Sequence, residues 1–155
     1  MAVTLDRDFF IAMEETDILK DRDAVVKKSV ELKKYVVDND RTEKGLRRVL
    51  NFGHTIGHAI ESLEGGRFLH GECVALGMLP MCSDDVRERL VRIYSKIDLP
   101  VSYSADPDEL LKLVVHDKKM TGDKVRAVTC ESAGSFEIEA VELDALKARM
   151  TAFYK

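Results

Sequence analysis

The chain has 155 residues, of which 45% are hydrophobic and 34% are charged, a composition typical of one globular domain that can bury a core. Its formal net charge of -4 excludes the broad basic field that nucleic-acid binding needs. No apolar run approaches the roughly 20 residues that cross a bilayer, and the N-terminus lacks the basic and apolar regions of a signal peptide. The odd number of cysteines, without C-x-x-C spacing, indicates a reducing compartment, and we expect a cytoplasmic protein.

The first part of the chain shows helical periodicity. Asp6 can cap a short amphipathic helix. The apolar residues of this helix are Phe9, Phe10 and Met13. A longer helix can begin at Asp21 or Asp23, and its shared apolar stripe consists of Val26, Val30 and Val37. Residues 38–45, DNDRTEKG, are polar and predict a loop that ends near Gly45.

Four more helices are predicted in the middle of the chain. The run LRRVLNFGHTIGHAIESLEGG, which begins at residue 46, predicts one continuous helix ended by Gly65 and Gly66. GECVALGML predicts the next, which stops near Pro80. Residues 83–97 and 107–116 predict two others, separated by the connector LPVSYSADP.

The C-terminal part contains one stretch with strand character. KVRAVTC and FEIEAV alternate apolar and polar residues on either side of a turn at Gly134 and Ser135, which predicts a small hairpin. A final helix follows Glu142. We therefore predict a mainly α, multi-helical single domain over residues 1–155, with one small β-hairpin near the C-terminus.

Three histidines between positions 54 and 70 indicate a site. His54 and His58 are four positions apart, so they project from one face of a helix. His70 follows the Gly-Gly break, and a helix–turn–helix would bring it back beside His54. Two helix-borne histidines with a third ligand from elsewhere suit a divalent metal. A surface coincidence, or a buried and hydrogen-bonded pair, explains the same spacing without a metal.

Glycines precede two of these histidines. Gly53 and Gly57 lie inside the predicted helix, where glycine costs about 1 kcal/mol relative to alanine. Two explanations fit equally: the glycines open room for a ligand or another backbone beside each histidine, or they serve close packing between helices.

Polar residues extend the histidine face toward the N-terminus of the predicted helix. Arg47, Asn51, His54 and His58 follow an i, i+4, i+7, i+11 pattern. A stripe that faces a core is apolar, whereas this one offers a guanidinium, an amide and two imidazoles. Such groups suit an oxygen-rich anionic small molecule beside a metal. The alternative is an exposed helix face, although such faces are usually richer in Lys and Glu.

At these residues the sequence resembles a known family. The runs GLRRVLNFGHTIGHAIE (45–61) and LHGECVALGM (69–78) resemble the signature region of 3-dehydroquinate synthase. ELKKYVV upstream, HDKK at 116–119 and VRAVTCESAGSFEI downstream fit the same family. The resemblance covers almost the whole chain from residue 5 onward. GHTxGHxxE followed by LHGE is far more specific than an isolated H-x-x-x-H.

The resemblance implies a C-terminal, mostly helical domain that carries zinc or cobalt and most substrate contacts. It implies an NAD-binding N-terminal domain as partner, and a lyase that converts 3-deoxy-D-arabino-heptulosonate 7-phosphate to 3-dehydroquinate and phosphate in the shikimate pathway. A homodimer is a further family expectation. Residue by residue, the resemblance implies metal ligands at His54 and His70 and acid/base groups at Glu43 and His58. The implied substrate contacts are Lys33, Arg47, Asn51 and Lys118, with Lys119 as an alternative to Lys118.

The chain also departs from the family pattern. It has no strand–glycine-loop–helix unit for a nucleotide. The E-x-x-K motif that supplies the family's third zinc ligand would fall before Met1, and Glu14 and Glu15 do not match it. The stretch between residues 78 and 99 is shorter than usual. We therefore expect the isolated chain to fold, to bind metal weakly and to be inactive as a synthase.

Three alternatives stay open at this point. Other sugar-phosphate cyclases share the helical domain and its histidines. Metal-dependent alcohol and glycerol dehydrogenases share the H-x-x-x-H helix, but not the lead-in from Arg47 to Asn51 or the LHGE motif. A module that binds a metal or an anion without catalysis is the third.

Overall fold

The computed structural model describes residues 1–116 and 120–154. Its elements are the helices α1 (Ala2–Leu5), α2 (Arg7–Glu15), α3 (Arg22–Asn39), α4 (His54–Glu64), α5 (His70–Met78), α6 (Asp84–Lys96), α7 (Pro107–His116) and α8 (Leu143–Phe153), the 3-10 segments Leu46–Asn51 and Leu79–Met81, and the strands β1 (Met120–Thr121), β2 (Lys124–Thr129) and β3 (Glu137–Glu142). The predicted mainly α fold is confirmed. None of the helices in the described ranges combines the length and apolar character needed to cross a membrane.

The N-terminal helices form for the local reasons that the sequence predicts. The Asp6 carboxylate accepts a hydrogen bond from the Phe9 amide at 2.9 Å and so caps α2, which buries Phe10. Lys28 of α3 forms an ion pair with the same carboxylate at 3.0 Å. The short helix α1, which the sequence analysis did not predict, places Val3 in the core.

The predicted valine stripe on α3 is wrong as a core face. Val26 and Val30 are 54% and 60% exposed, whereas Val36 is fully buried. Val25 packs against the core one position before Val26. Successive helical residues are about 100° apart around the axis, so the inward face is rotated by one residue from the stripe that the valines suggested.

The predicted continuous helix from residue 46 to the Gly-Gly break is also wrong. A 3-10 segment ends at Asn51, Gly53 adopts a left-handed conformation with φ of 78°, and α4 begins at His54. Arg47 and Asn51 therefore do not share a helix with the histidines. The predicted end of α4 is confirmed, because Gly65 adopts the left-handed conformation that ends many helices.

Close packing of α4 against α5 explains the glycines. A Cβ atom on Gly57 would lie 2.9 Å from the Val74 Cα atom, and one on Gly53 would lie 2.5 Å from the Val74 carbonyl oxygen. On α5, a Cβ atom on Gly77 would lie 2.6 Å from the Gly57 nitrogen. Real Cβ atoms do not approach so closely, so the two helices can meet only where these side chains are missing. Of the two explanations for the glycines, close helix packing is confirmed.

The C-terminal strands form a small antiparallel sheet. β2 and β3 pair antiparallel with Val125 opposite Val141, which confirms the predicted hairpin, and β1 adds a short third strand in the order β1-β2-β3. The Cys130 amide donates to the Met81 carbonyl at 3.0 Å, which ties the sheet to the helices. All three cysteines are buried and free, in agreement with the expectation of no disulfide. Directly after α8, the buried Tyr154 hydroxyl donates to the Leu76 carbonyl of α5 at 3.1 Å.

Candidate functional site

His54, His58 and His70 lie together where α4 and α5 begin. The ring centroids of His54 and His58 are 5.4 Å apart, and the His70 ring lies 5.5 Å from the first and 5.8 Å from the second. The return of His70 to the side of His54, expected from the sequence, is confirmed. His54 and His58 are half-buried and His70 is exposed, so the cluster opens toward solvent on the His70 side.

The local structure of the turn between α4 and α5 positions His70 in the histidine cluster. Gly65 and Gly66 both have positive φ angles, 56° and 98°, and reverse the chain after α4. The Leu69 amide then donates to the Glu72 carboxylate at 2.7 Å, which satisfies an N–H group at the start of α5. The glycine contacts pair Gly53 with Met78 and Gly57 with Val74, so α5 runs back along α4 and its first residue, His70, lies near the second half of α4, beside Glu61.

The histidine nitrogens fit a borderline divalent cation. One ring nitrogen from each histidine can be chosen so that all three lie within 4.8 Å of one another. Nitrogens bound to zinc at roughly 2.0–2.1 Å in a tetrahedral site lie about 3.4 Å apart, so the most distant pair would have to close by up to about 1.4 Å on binding. Such a change requires rotation of the histidine side chains. Neutral imidazole suits zinc and cobalt, and a set of two or three histidines leaves coordination positions open.

The Nδ1 atoms of two of these histidines lie near hydrogen-bond acceptors. His54 Nδ1 lies 3.3 Å from the Phe52 carbonyl oxygen, and His70 Nδ1 lies 3.1 Å from a Glu61 carboxylate oxygen. A hydrogen on Nδ1 leaves the lone pair of a neutral ring on Nε2, which is the arrangement found in many metal-ligating histidines. Glu61 is the last residue of the GHTxGHxxE motif, but no role was predicted for it from the sequence. Its position seven residues after His54, on the same helix face, was the available signal.

A cavity beside the cluster collects most of the other predicted site residues. Its volume is about 500 Å³, and the predicted residues that line it are Lys33, Glu43, Arg47, Asn51 and His54. They come from α3, the following loop, the 3-10 segment and the start of α4. Two cationic side chains, those of Lys33 and Arg47, therefore border the same cavity as the His54 imidazole. His58 and His70 do not line this cavity.

A hydrogen bond joins two of the cavity residues. The Asn51 amide nitrogen donates to a Glu43 carboxylate oxygen at 2.8 Å. Glu43 has a φ of 55°, an uncommon conformation for a residue with a side chain. The Arg48 guanidinium donates to the Glu43 carbonyl at 3.2 Å, and this contact helps to hold the strained backbone. The loop thus presents the Glu43 carboxylate next to Asn51.

Asp40 organises this loop and was not singled out from the sequence. Its carboxylate accepts hydrogen bonds from the amides of Lys44, Gly45 and Arg47, at 3.1, 2.8 and 3.0 Å. These bonds, those from Arg47 and Gly45 first, lower the Asp40 pKa to about 2. An aspartate at the start of a polar loop favours such bonds to following amides, so this signal was present in DNDRTEKG.

Two other groups of residues that the sequence analysis considered are not part of the described site. Lys118 and its alternative Lys119 lie outside the described residues. Glu14, which the sequence analysis set aside, accepts two bonds from the Arg89 guanidinium at 2.8 and 2.5 Å. This contact joins α2 to α6, and because neither residue lines the cavity, it gives Glu14 a structural role.

Comparison with known proteins identifies the family. A family model described as 3-dehydroquinate synthase C-terminal matches residues 1–120. The chain belongs to this family. The match includes every described residue of the histidine cluster and the cavity.

Curated relatives carry the same name. The chain is 41% identical over 156 residues to the 3-dehydroquinate synthase of Geotalea uraniireducens, covering 90% of this chain and 43% of the relative. It is 38% identical over 163 residues to that of Caldanaerobacter subterraneus subsp. tengcongensis, covering 94% of this chain and 46% of the relative. The chain therefore spans less than half the length of the synthases that it matches.

Solved structures share the fold. The structure of 2-epi-5-epi-valiolone synthase from Streptomyces hygroscopicus subsp. jinggangensis, with NAD+ and Zn2+ bound, matches 97% of this chain and 47% of its own at a TM-score of 0.81 and 18% identity. A 2-deoxy-scyllo-inosose synthase complexed with carbaglucose-6-phosphate, NAD+ and Co2+ matches 86% of this chain and 41% of its own at a TM-score of 0.71 and 24% identity. At these identities the likeness establishes a common fold.

Proposed function

We propose that the chain is the metal- and substrate-binding half of a 3-dehydroquinate synthase, which converts 3-deoxy-D-arabino-heptulosonate 7-phosphate to 3-dehydroquinate and phosphate. The observation that carries the proposal is the convergence of three imidazoles beside a cavity lined by Lys33, Arg47, Asn51 and Glu43. The shikimate pathway and the cytoplasm follow from this reaction as parts of the same proposal.

His54 and His70 are the proposed ligands of a zinc or cobalt ion. Their rings lie 5.5 Å apart on two helices whose separation is fixed by glycine packing, and one nitrogen of each ring can be chosen so that the two lie within 4.8 Å. When bound, the ion supplies Lewis-acid polarisation of a substrate hydroxyl and of the ketone that it becomes. Both ligands come from the first residue of a helix, so neither needs a long backbone adjustment.

The cationic residues of the cavity suit the two anionic groups of the proposed substrate. Arg47 can engage a carboxylate or phosphate through two parallel hydrogen bonds, and Lys33 adds a compact positive charge. Asn51 contributes an amide whose orientation is set by its bond to Glu43. Lys118 of the HDKK motif stays a predicted third cation.

Glu43 and His58 are the proposed proton-transfer groups. The Glu43 carboxylate borders the cavity and is oriented by Asn51 at 2.8 Å. The His58 ring stands 5.4 Å from His54 and 5.8 Å from His70, next to both proposed ligands of the ion. Imidazole and carboxylate are the side-chain groups that enzymes use most often to move protons. Elimination and ring closure then depend mainly on the placement of the substrate.

The remaining requirements lie with a second domain. NAD binding and a third protein ligand for the ion are proposed to come from an N-terminal domain, which is the principal partner of this chain, and a homodimer is part of the same expectation. The isolated chain is therefore expected to bind the ion weakly and to show no turnover.

A chimera tests the proposal directly. The chain replaces the corresponding half of the Geotalea uraniireducens synthase, and phosphate release is followed with the heptulosonate phosphate, NAD and zinc. We expect turnover by the chimera and none by the isolated chain. Arg47→Ala should lower kcat/KM at least 100-fold, whereas Arg22→Ala, at a site that is 77% exposed on α3, should leave it unchanged. A folded chimera that binds NAD but releases no phosphate contradicts the proposal, and release from other sugar phosphates alone indicates a related cyclase.

A further inference from the structure

We infer that Glu61 is a positioning residue for His70, an inference that rests on the metal site of the proposed function. Glu61 lies near the end of α4 and His70 begins α5, and the Glu61 Oε2 atom is 3.1 Å from His70 Nδ1. The contact crosses the turn between the two helices. It joins His70, the more exposed of the two proposed ligands, to a carboxylate on α4. The other proposed ligand, His54, lies on the same helix as this carboxylate.

The helix pair places the two groups face to face. Glu61 is seven residues after His54, two turns along the same face of α4, and this is the face that the start of α5 approaches. Neighbouring carboxylates have other contacts: Glu64 accepts from the Tyr103 hydroxyl at 2.8 Å, and Glu72 caps α5 through the Leu69 amide. Glu61 is the carboxylate of this turn that faces His70.

The contact has a chemical consequence for His70. A carboxylate that accepts from Nδ1 holds the hydrogen of a neutral imidazole there and leaves the lone pair on Nε2. It also limits rotation of a side chain that is 53% exposed and otherwise free to adopt several rotamers. Both effects favour a ring that is ready to bind the ion. Loss of such a partner typically weakens metal binding by about 10- to 100-fold.

The first experiment tests the contact without a metal. Nitrogen NMR of the metal-free chain at pH 8 reports the tautomer of each histidine. We expect the hydrogen of His70 on Nδ1 in the wild type and in Glu61→Gln, which keeps an acceptor oxygen, and a shift toward Nε2 in Glu61→Ala. A His70 tautomer that does not respond to Glu61→Ala overturns the inference.

The second experiment measures the ion. Cobalt chloride is titrated into the same chains while the visible d–d bands are recorded, and Glu31→Ala on α3 removes an equal charge from an exposed site as the control. We expect about a 10- to 100-fold loss of affinity for Glu61→Ala, a smaller loss for Glu61→Gln, an unchanged control and bands of unchanged position. Equal losses in both Glu61 variants with shifted bands overturn the inference, because Glu61 is then a ligand itself. A wild-type chain that binds no cobalt while its His70 tautomer still depends on Glu61 contradicts the proposed metal site and upholds the positioning contact.

Discussion

A Cβ atom on Gly77 would lie 2.2 Å from the carbonyl oxygen of Gly53, so α5 meets the start of α4 with no space for a side chain. This approach sets the separation of the two helices that carry the histidines. Gly53 itself adopts a left-handed conformation with φ of 78°, and α4 begins at the next residue, His54. The packing of three glycines is thus a structural condition of the site.

Gly77→Ala is expected to destabilise the chain. The new methyl group must displace the backbone of α4, and overpacking of this kind lowers the free energy of unfolding by about 1–3 kcal/mol or more. Chemical denaturation followed by circular dichroism measures the change. Gly71→Ala is the matched control on the same helix, because no atom lies within 4 Å of its Cβ position. Equal stability of the two variants would show that the glycine contact is not tight.

Removal of both proposed ligands is expected to abolish metal binding. His54→Ala combined with His70→Ala leaves one imidazole of the cluster, which is too few donors to hold zinc or cobalt at micromolar concentration. Titration calorimetry of the chain measures the loss. His116→Ala, at an exposed position at the end of α7, serves as the control. Unchanged heats in the double variant would contradict the ligand assignment.

The loop that carries Glu43 is expected to lose stability in acid. Hydrogen bonds from the amides of Arg47 and Gly45 lower the folded-state pKa of Asp40 from its ordinary value of 3.8 to about 2. Its stabilising contribution is therefore fully present above pH 4 and is lost as the pH falls toward 2. Asp40→Asn should lower stability at pH 6, and the difference from the wild type should shrink as the pH approaches 2.

Denaturation curves at several pH values test the Asp40 prediction. Asp23→Asn is the control, because Asp23 is fully exposed on the first turn of α3. The Asp40 variant should also weaken the hydrogen bond between Asn51 and Glu43, which the side-chain amide signals of Asn51 would report by NMR. A stability difference that is the same at pH 2 and pH 6 would exclude the carboxylate as its source.

Arg89 is expected to stabilise the contact between α2 and α6. Its guanidinium makes two hydrogen bonds to Glu14 and lies 4.8 Å from the Phe10 ring centroid. Arg89→Ala should cost about 1–3 kcal/mol of unfolding free energy, because it removes a paired charge and part of the core cover. Arg92→Ala is the comparison: its side chain is 62% exposed and 3.9 Å from Glu14, so its effect should stay near zero. Equal effects would contradict the structural role of Glu14.

Several elements could be predicted because their causes are local. The cap at Asp6, the end of α4 at Gly65 and the hairpin around Gly134 each depend on residues within a few positions. The break at Gly53 could not be predicted in this way, since its cause is the arrival of α5 from further along the chain. The buried face of α3 was also predicted wrongly, because valines at neighbouring positions allow two inward faces. Packing against other elements selects the face with Val36.

The amino-acid sequence by itself determined the inventory of the site: paired histidines, an arginine and an asparagine before them, and the motifs that resemble one family. Tertiary structure decided how this inventory is arranged. It placed Arg47 and Asn51 on a 3-10 segment that is separate from α4. It also brought Lys33 and Glu43 to the same cavity and placed Glu61 beside His70. Local periodicity determines which residues share a helix face. Contacts between groups on different elements depend instead on which backbones can approach each other. In this protein, the absence of side chains at three glycines allows α4 and α5 to approach.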